Sequence, residues 1–281
     1  MNMKKRMVKE NKRGKTSLSA APINQHRGQV TLFVIVGILI VVLAILTYLF
    51  YPKIVAGLGL GSQSPSQFME TCIGDDIKEA VHIASYQGGS INPEHYILYK
   101  NEKIEYLCYT GEYYKTCVMQ QPMLKQHIEN EVRDYISATA RKCLDDLKAS
   151  YENKGYTVSM GMGGIQVELL PERIVTTFNN SLVLTKTDTQ RFNSLKVVVN
   201  NNLYEMVGIA DSILNFEARL GDSETTTYMN YYHWLKVEKI KQSDGSTIYI
   251  LTERDNPKNK LQFASRSLAW PPGYGISGVL Y

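Results

Sequence analysis

The feature that most constrains this chain is an apolar run near its start, residues 30–51, which holds no charge and no proline. As a helix rising about 1.5 Å per residue, this run would reach roughly 33 Å, enough to cross the hydrocarbon layer of a bilayer. A helix buried in a soluble core would carry a polar stripe, and this run carries none. The pattern predicts one transmembrane helix, with the lipid bilayer as a partner.

Charge is distributed unevenly on the two sides of the run. Residues 1–29 contain eight lysines and arginines against one glutamate, a net charge of +7, whereas the remainder contains 23 basic and 26 acidic residues. The positive charge before the span predicts that this basic tail is cytoplasmic, that the chain lies in the plasma membrane and that its C-terminal part is extracellular. A nucleic-acid-binding protein would spread basic residues over its folded surface, so no nucleic-acid partner is predicted.

A cleaved secretory signal is the alternative to an anchor. The apolar core of such a signal normally has about 7–15 residues and ends at a small-x-small cleavage site. The run here is longer, and Ile54-Val55-Ala56 matches such a site poorly. We therefore expect an uncleaved anchor, followed by a flexible Gly- and Ser-rich linker over residues 52–66.

The residues that join the basic tail to the apolar run, Arg27-Gly28-Gln29-Val30-Thr31, resemble the processing site of archaeal class III signal peptides, as in type IV pilins and related surface proteins. The resemblance covers about residues 27–50 and implies cleavage between Gly28 and Gln29, with the helix left on the mature protein. Phe33 stands where that family has a glutamate that helps subunits to dock, which argues against filament assembly. The wider layout also resembles single-pass exoproteins of small-genomed archaea, in which Gln-Gly-Gly follows a first cysteine-bearing helix. That second resemblance implies no particular activity.

All four cysteines follow the predicted span, and an even number of cysteines favours disulfides in an oxidising exterior. No C-x-x-C spacing occurs, which excludes zinc-ribbon and thioredoxin-like sites. Cys72 and Cys143 fall on the apolar faces of two predicted helices, and Cys108 and Cys117 flank one predicted hairpin. We therefore predict the pairs Cys72–Cys143 and Cys108–Cys117, with buried free thiols as the alternative.

The extracellular domain is predicted over residues 67–281. Ser64 and Gln67 form a capping-box pattern that predicts the start of a helix, and Gly88-Gly89 predict its end. A second long helix follows Pro122, with apolar residues at steps of three and four.

The rest of the domain carries mostly strand patterns. Alternating apolar and polar residues predict strands at 104–109, 113–119, 156–160, 165–169, 173–178, 182–186, 235–241, 247–252 and 261–267. The strands within 156–186 are expected to form an antiparallel meander. Helical spacing predicts one helix over 189–220, with Asn200-Asn201-Asn202 as its weak point. The expected fold is α+β, with helices packed on antiparallel sheet and a sub-boundary near residues 150–155.

The sequence indicates no catalytic, cofactor-binding or metal site. Its five histidines are scattered, and His127-Ile128-Glu129 lacks the second histidine of a zinc-protease motif. Gly88-Gly89-Ser90 follows a predicted helix rather than a strand, unlike a nucleophile elbow. The acid pairs Asp75-Asp76 and Asp145-Asp146 are interpreted as solvated helix residues.

Tyrosine is abundant, with nineteen residues in the chain. Tyrosine offers a large contact area at a small entropic cost, which suits the recognition of proteins or sugars. Two clusters predict a contact surface, with half-buried sheet positions as the alternative explanation: Tyr109, Tyr113, Tyr114, Tyr231, Tyr232 and Trp234. Asn179-Asn180-Ser181 is a glycosylation sequon in a predicted outer turn, so Asn179 is a candidate acceptor.

Together these patterns predict a membrane-anchored cell-surface protein that makes contacts or contributes to envelope structure and is not an enzyme. A surface protein or a glycan is its expected partner, and the sequence does not indicate an oligomeric state. A pilin-like filament subunit is the first alternative, suggested by Gly28-Gln29. An envelope enzyme acting on glycans is the second, and it would need carboxylates or histidines brought together by the fold.

Overall fold

The computed structural model describes residues 33–46 and 63–269 of the chain. The chain divides into two units, residues 1–62 and residues 63–281. In the first unit, residues 33–46 form helix α1, and all of its residues are exposed and uncharged. Within the described ranges, no helix combines the length and the apolar character that crossing a membrane requires.

Several predicted features lie outside the described residues. They are the basic tail, the possible processing site at Gly28 and Gln29, the two ends of the predicted span at 30–32 and 47–51, linker residues 52–62 and the C-terminal residues 270–281.

In the second unit, single helices or a helix pair alternate with groups of consecutive strands. The helices are α2 (Pro65–Tyr86), α3 (Leu124–Asn153), α4 (Leu203–Leu220) and α5 (Thr226–Tyr231). The strands of the first half are β1 (Tyr96–Tyr99), β2 (Glu102–Tyr109), β3 (Val118–Met119), β4 (Thr157–Met160), β5 (Ile165–Leu170) and β6 (Arg173–Phe178). The strands of the second half are β7 (Leu182–Thr185), β8 (Thr189–Phe192), β9 (Leu195–Asn200), β10 (Leu235–Lys241), β11 (Ser246–Glu253) and β12 (Lys260–Arg266).

Helix α2 begins and ends where the sequence predicts. The Ser64 hydroxyl accepts a hydrogen bond from the Gln67 amide at 3.3 Å, and the Gln67 side chain accepts one from the Ser64 amide, which completes the capping box. Gly88 follows the helix with φ of 89°, and a Cβ at this position would lie 2.7 Å from the Cβ of Glu105. A glycine is therefore required both by the backbone conformation and by the close approach of β2.

The two predicted disulfides are present. Cys72 of α2 and Cys143 of α3 are bonded with their Cα atoms 5.9 Å apart, which ties the two long helices together. Cys108 of β2 is bonded to Cys117, just before β3, with Cα atoms 5.3 Å apart. No cysteine of the chain is free.

The fold is α+β, and the strands within residues 63–269 form three sheets. The largest sheet has the order β1-β2-β12-β11-β10, with the short strand β3 paired to β2. Its pairs are antiparallel except for β12 and β2, which run parallel. The other sheets have the orders β4-β7-β8 and β5-β6-β9.

The predicted meander over residues 156–186 is wrong in its pairing. The four strands lie close to their predicted positions, but β4 pairs with β7, whereas β5 and β6 form a separate hairpin that pairs with β9. Neighbouring strands of the sequence therefore belong to two sheets, because the outer strands β4 and β7 pair with each other and leave the β5–β6 hairpin between them to a separate sheet.

The predicted helix over residues 189–220 is also wrong in its first half, where the chain forms β8 and β9. In β9 Leu195 and Val197 are buried while Lys196 and Val198 are exposed, a period of two. An apolar spacing of four fits a strand as well as a helix, and the run of β-branched valines favours the strand. Helix α4 begins only after the asparagines, where the Asn201 side chain accepts a hydrogen bond from the Leu203 amide.

Three smaller differences concern the chain around these elements. Of the predicted strand 113–119, only β3 forms, because the Cys108–Cys117 bond closes a loop ahead of it. Strand β1 and helix α5 were not predicted. One continuous apolar core joins α2, α3 and α4 to the sheets, and it includes residues on both sides of 150–155.

The loop between β4 and β5 offers a test of the packing. A Cβ added at Gly163 would lie 1.9 Å from the backbone carbonyl oxygen of Asn179, so the loop would have to move away from the end of β6. We expect Gly163→Ala to lower the free energy of unfolding by about 2 kcal/mol or more. The neighbouring Gly164→Ala is the matched control, since its Cβ meets no atom within 4 Å. Equal denaturation midpoints for the two variants would contradict this packing.

Candidate functional site

The tyrosine clusters predicted as a contact surface lie at opposite ends of the largest sheet. Tyr109 is in register with Arg266 at the end of β12, and Arg266 is in register with Ser246 at the start of β11. Tyr231 and Tyr232 end α5 and lead into the start of β10, where Leu235 is in register with Glu253 at the other end of β11. The fold therefore separates the two clusters.

The cluster beside β2 combines packed and exposed rings. Tyr109 is half-buried, with its ring 4.4 Å from that of His95 and the Arg266 guanidinium 5.6 Å from its centre. This supports the alternative explanation for Tyr109, a structural sheet position. Tyr113 and Tyr114 are 73% and 61% exposed in the disulfide-closed loop.

The cluster beside β10 forms a chain of aromatic contacts. The ring of Tyr232 lies 4.8 Å from that of Tyr231 and 6.2 Å from that of Trp234. Tyr231 is 77% exposed, whereas Tyr232 and Trp234 are half-buried. Tyr232 also lines a groove on the surface of α4, which makes this end of the sheet the stronger candidate for a contact site.

The groove has a volume of about 510 Å³ and lies where α4 approaches α5 and the start of α3. The apolar face of α4 is directed into the core, and its opposite face lines the groove. The residues that determine its chemistry are Tyr204, Glu205, Gly208, Asp211, Tyr228 and Tyr232. We call it the tyrosine groove.

Two carboxylates give the tyrosine groove an acidic character. Within residues 33–46 and 63–269, Asp211 Oδ1 and Glu205 Oε2 are buried and have no hydrogen-bond partner. Burial raises the pKa of the Asp211 carboxyl. Lys125 also lines the groove, but its Nζ lies 2.6 Å from Glu129 Oε1 in an ion pair. The side chains of Asp211 and Glu205 are half-buried and line the groove, so their carboxylates can accept hydrogen bonds from a ligand that enters it.

A second polar cluster joins Ser90, Glu105 and His127. Ser90 Oγ lies 2.5 Å from Glu105 Oε2 and 2.7 Å from His127 Nε2, and burial raises the pKa of Glu105. In a catalytic triad the acid orients the histidine, whereas here the acid contacts the serine. Ser90 and Glu105 are only 5% and 8% exposed. The cluster therefore ties β2 to α3 and to the loop after α2, and it lacks the arrangement of a hydrolase.

The remaining candidate positions are dispersed. Asn179 is exposed at the end of β6, where a glycan could be attached. Asp75 is on the surface of α2 and pairs with Lys78 at 2.8 Å. Among the described residues, no group of three histidine, cysteine or acidic side chains could hold a metal ion.

Sequence reasoning missed Gly208, Glu205 and Asp211, because a glycine and two acids on the outer face of a helix are ordinary there. A weak signal existed, since Gly208 is a poor helix former placed between apolar core positions of α4.

Comparisons of the chain with protein-family models, curated proteins and solved structures found no match.

Proposed function

We propose that this chain is a membrane-anchored cell-surface protein whose disulfide-bonded domain lies outside the cell and recognises a partner without catalysis. The observation that carries the proposal is the combination of an exposed, uncharged helix with a domain in which every cysteine is disulfide-bonded. Each half of this combination has its own physical argument.

The exposed helix supports an anchor. Twelve of the fourteen residues of α1 are leucine, isoleucine, valine or phenylalanine, and all of them are exposed. At about −0.3 to −0.6 kcal/mol each near the centre of a bilayer, they favour insertion by about −4 to −7 kcal/mol. The apolar sequence continues beyond α1 on both sides, over residues 30–51.

The disulfides support an oxidising compartment. Structural disulfides persist outside the cell and are rare in the reducing cytosol. The basic tail precedes the apolar run and all four cysteines follow it, so both features agree with an N-terminus inside and a domain outside.

The aromatic groups support a contact role. Tyr231 is among the most exposed large side chains of the domain, and it adjoins the tyrosine groove through Tyr232. Exposed tyrosines next to a groove are typical of recognition surfaces.

We expect the full-length chain, expressed in intact cells, to remain in the membrane fraction after a carbonate wash and to lose its domain to external protease. A thiol-reactive maleimide should modify it only after reduction. The double variant Ile38→Lys/Val42→Lys should release the chain, because two lysines at the centre of the span cost about 6 kcal/mol together. Ile38→Leu/Val42→Leu is the matched control and should stay bound.

The proposal fails if the native chain is found in the soluble fraction with four reactive thiols. N-terminal sequencing of the membrane-bound product distinguishes the two anchors. A first residue of Met1 indicates an uncleaved anchor, and a first residue of Gln29 indicates pilin-type processing.

A further inference from the structure

We infer that the tyrosine groove binds an organic cation, an alkylguanidinium or alkylammonium group such as the side chain of arginine or lysine. This inference rests on the contact role proposed above and names the chemical class that the groove recognises. It is carried by three features of the groove: its unpartnered acceptors, its aromatic walls and a notch in α4.

The acceptors define the ligand as a donor of hydrogen bonds. The side chains of Asp211 and Glu205 are half-buried and line the groove. Asp211 Oδ1 and Glu205 Oε2 have no partner in the described parts of the chain, whereas Glu205 Oε1 accepts a hydrogen bond from the Glu172 amide at 3.1 Å. A carboxylate oxygen can only accept, so the group that completes the site must donate. A cation does so while also offsetting the cost of burying negative charge.

No cation of the described residues already fills this role. Lys125 is the basic side chain that lines the groove, and its ammonium group is held by Glu129 at 2.6 Å. Burial is what raises the pKa of Asp211, with no opposing contribution from a neighbouring positive charge. Neither unpartnered oxygen is therefore held by a positive side chain of the described residues.

The walls suit an organic cation better than a hydrated metal ion. Tyr204, Tyr228 and Tyr232 line the same groove as the two carboxylates. Tyr228 is held in place by a hydrogen bond of 2.7 Å between its hydroxyl and Ser212 Oγ. Tyrosine faces attract ammonium and guanidinium groups, and their rings cover the alkyl part of such a ligand.

Gly208 provides the notch. It is an exposed residue in the middle of α4, where glycine disfavours the helix. Its φ is not positive, and a Cβ added there would meet no atom within 4 Å, so the packing of the fold does not require glycine. The missing side chain leaves open space beside Asp211 on the adjacent turn, where a ligand can approach the helix backbone.

The test is titration calorimetry on the full-length chain in detergent with its disulfides intact. The probes are arginine amide and citrulline amide, both acetylated at the α-amine, so that they have the same shape and differ only in the guanidinium charge. We expect arginine amide to bind and citrulline amide to bind at least about tenfold more weakly. The tripeptide Gly-Arg-Gly then identifies the source: tighter binding than arginine amide indicates a protein partner, and weaker binding indicates a small free cation.

The variants separate binding from folding. Asp211→Asn and Glu205→Gln should each weaken the binding of arginine amide about tenfold. Asp146→Asn is the matched control, because it removes the same charge outside the groove and should leave the affinity for arginine amide unchanged. Gly208→Ala should raise the unfolding temperature and weaken binding, and Gly74→Ala in the interior of α2 should leave binding unchanged. Equal binding of the two probes, or an Asp211→Asn variant with native affinity, would overturn the inference. Membrane attachment is not measured here, so failure of binding and failure of the anchor are distinguishable.

Discussion

Replacing Cys72 and Cys143 together by alanine is expected to lower the free energy of unfolding by about 4 kcal/mol. The two cysteines are 71 residues apart and join α2 to α3, so their bond removes much of the freedom of the unfolded chain. The entropy of closing a loop increases with its length, which makes this the more stabilising of the two disulfides. Denaturation by guanidinium without a reducing agent measures the loss.

The second disulfide provides the control for loop length. Cys108 and Cys117 are only 9 residues apart, so Cys108→Ala/Cys117→Ala should cost about 1 to 2 kcal/mol less than the first pair. Both double variants remove two sulfur atoms from mostly buried positions, so their packing losses are comparable. Equal losses of unfolding free energy in the two double variants would show that loop length does not determine how much each disulfide stabilises the fold.

Replacing Glu217 by alanine is expected to lower the free energy of unfolding by about 3 kcal/mol. Glu217 lies on the inner face of α4 and is 1% exposed. The Tyr249 hydroxyl donates to its Oε1, and Ser265 Oγ donates to its Oε2 at 3.0 Å. Alanine leaves both hydroxyls without their acceptor inside the core and opens a cavity between α4 and the largest sheet.

Glu217 should also make the stability depend on pH. Burial raises its pKa above the usual value of 4.5, against the lowering effects of its hydrogen bonds and of Lys239. The folded chain therefore holds this proton more tightly than the unfolded chain, and the free energy of unfolding falls as the pH rises above 4.5 until it passes the raised pKa. At pH values above the raised pKa, the free energy of unfolding no longer falls because of Glu217.

Glu217→Gln isolates this effect because glutamine keeps the shape and cannot ionise. The difference in unfolding free energy, variant minus native chain, should become more positive from acidic to neutral pH. Asp211 and Glu105 also have raised pKa values, but they contribute equally to both proteins and cancel in the difference. A difference that does not change with pH would mean that Glu217 titrates normally in the folded chain.

Local signals in the sequence were sufficient for several elements. The capping box at Ser64 and the glycines after Tyr86 define α2, because hydrogen bonds between near neighbours decide where a helix begins and ends. The disulfide pairing was predictable for a related reason. Two cysteines on the apolar faces of long helices meet when those faces pack, and a hairpin brings its flanking cysteines together.

Other elements depended on distant partners. Leu195 and Val199 are four residues apart, a spacing that fits a helix, yet they lie in β9 because β6 offers an edge to pair with. The parallel pairing of β12 with β2 joins strands more than 150 residues apart, and no local pattern encodes it. In both cases the neighbouring strand supplies the hydrogen bonds that decide the conformation.

By itself, the sequence determined the apolar segment, the uneven charge around it and the helix boundaries at α2, because each depends on composition or on residues close in the chain. It also determined the pairing of the cysteines, because two of them lie on the apolar faces of long helices and the other two flank one hairpin. The tertiary structure alone decided which strands share a sheet, that the two tyrosine clusters lie apart, and that Glu205, Asp211 and three tyrosines line one groove. The groove arises where α3, α4 and α5 meet, and the strand pairings join distant residues, so both form only when the core packs.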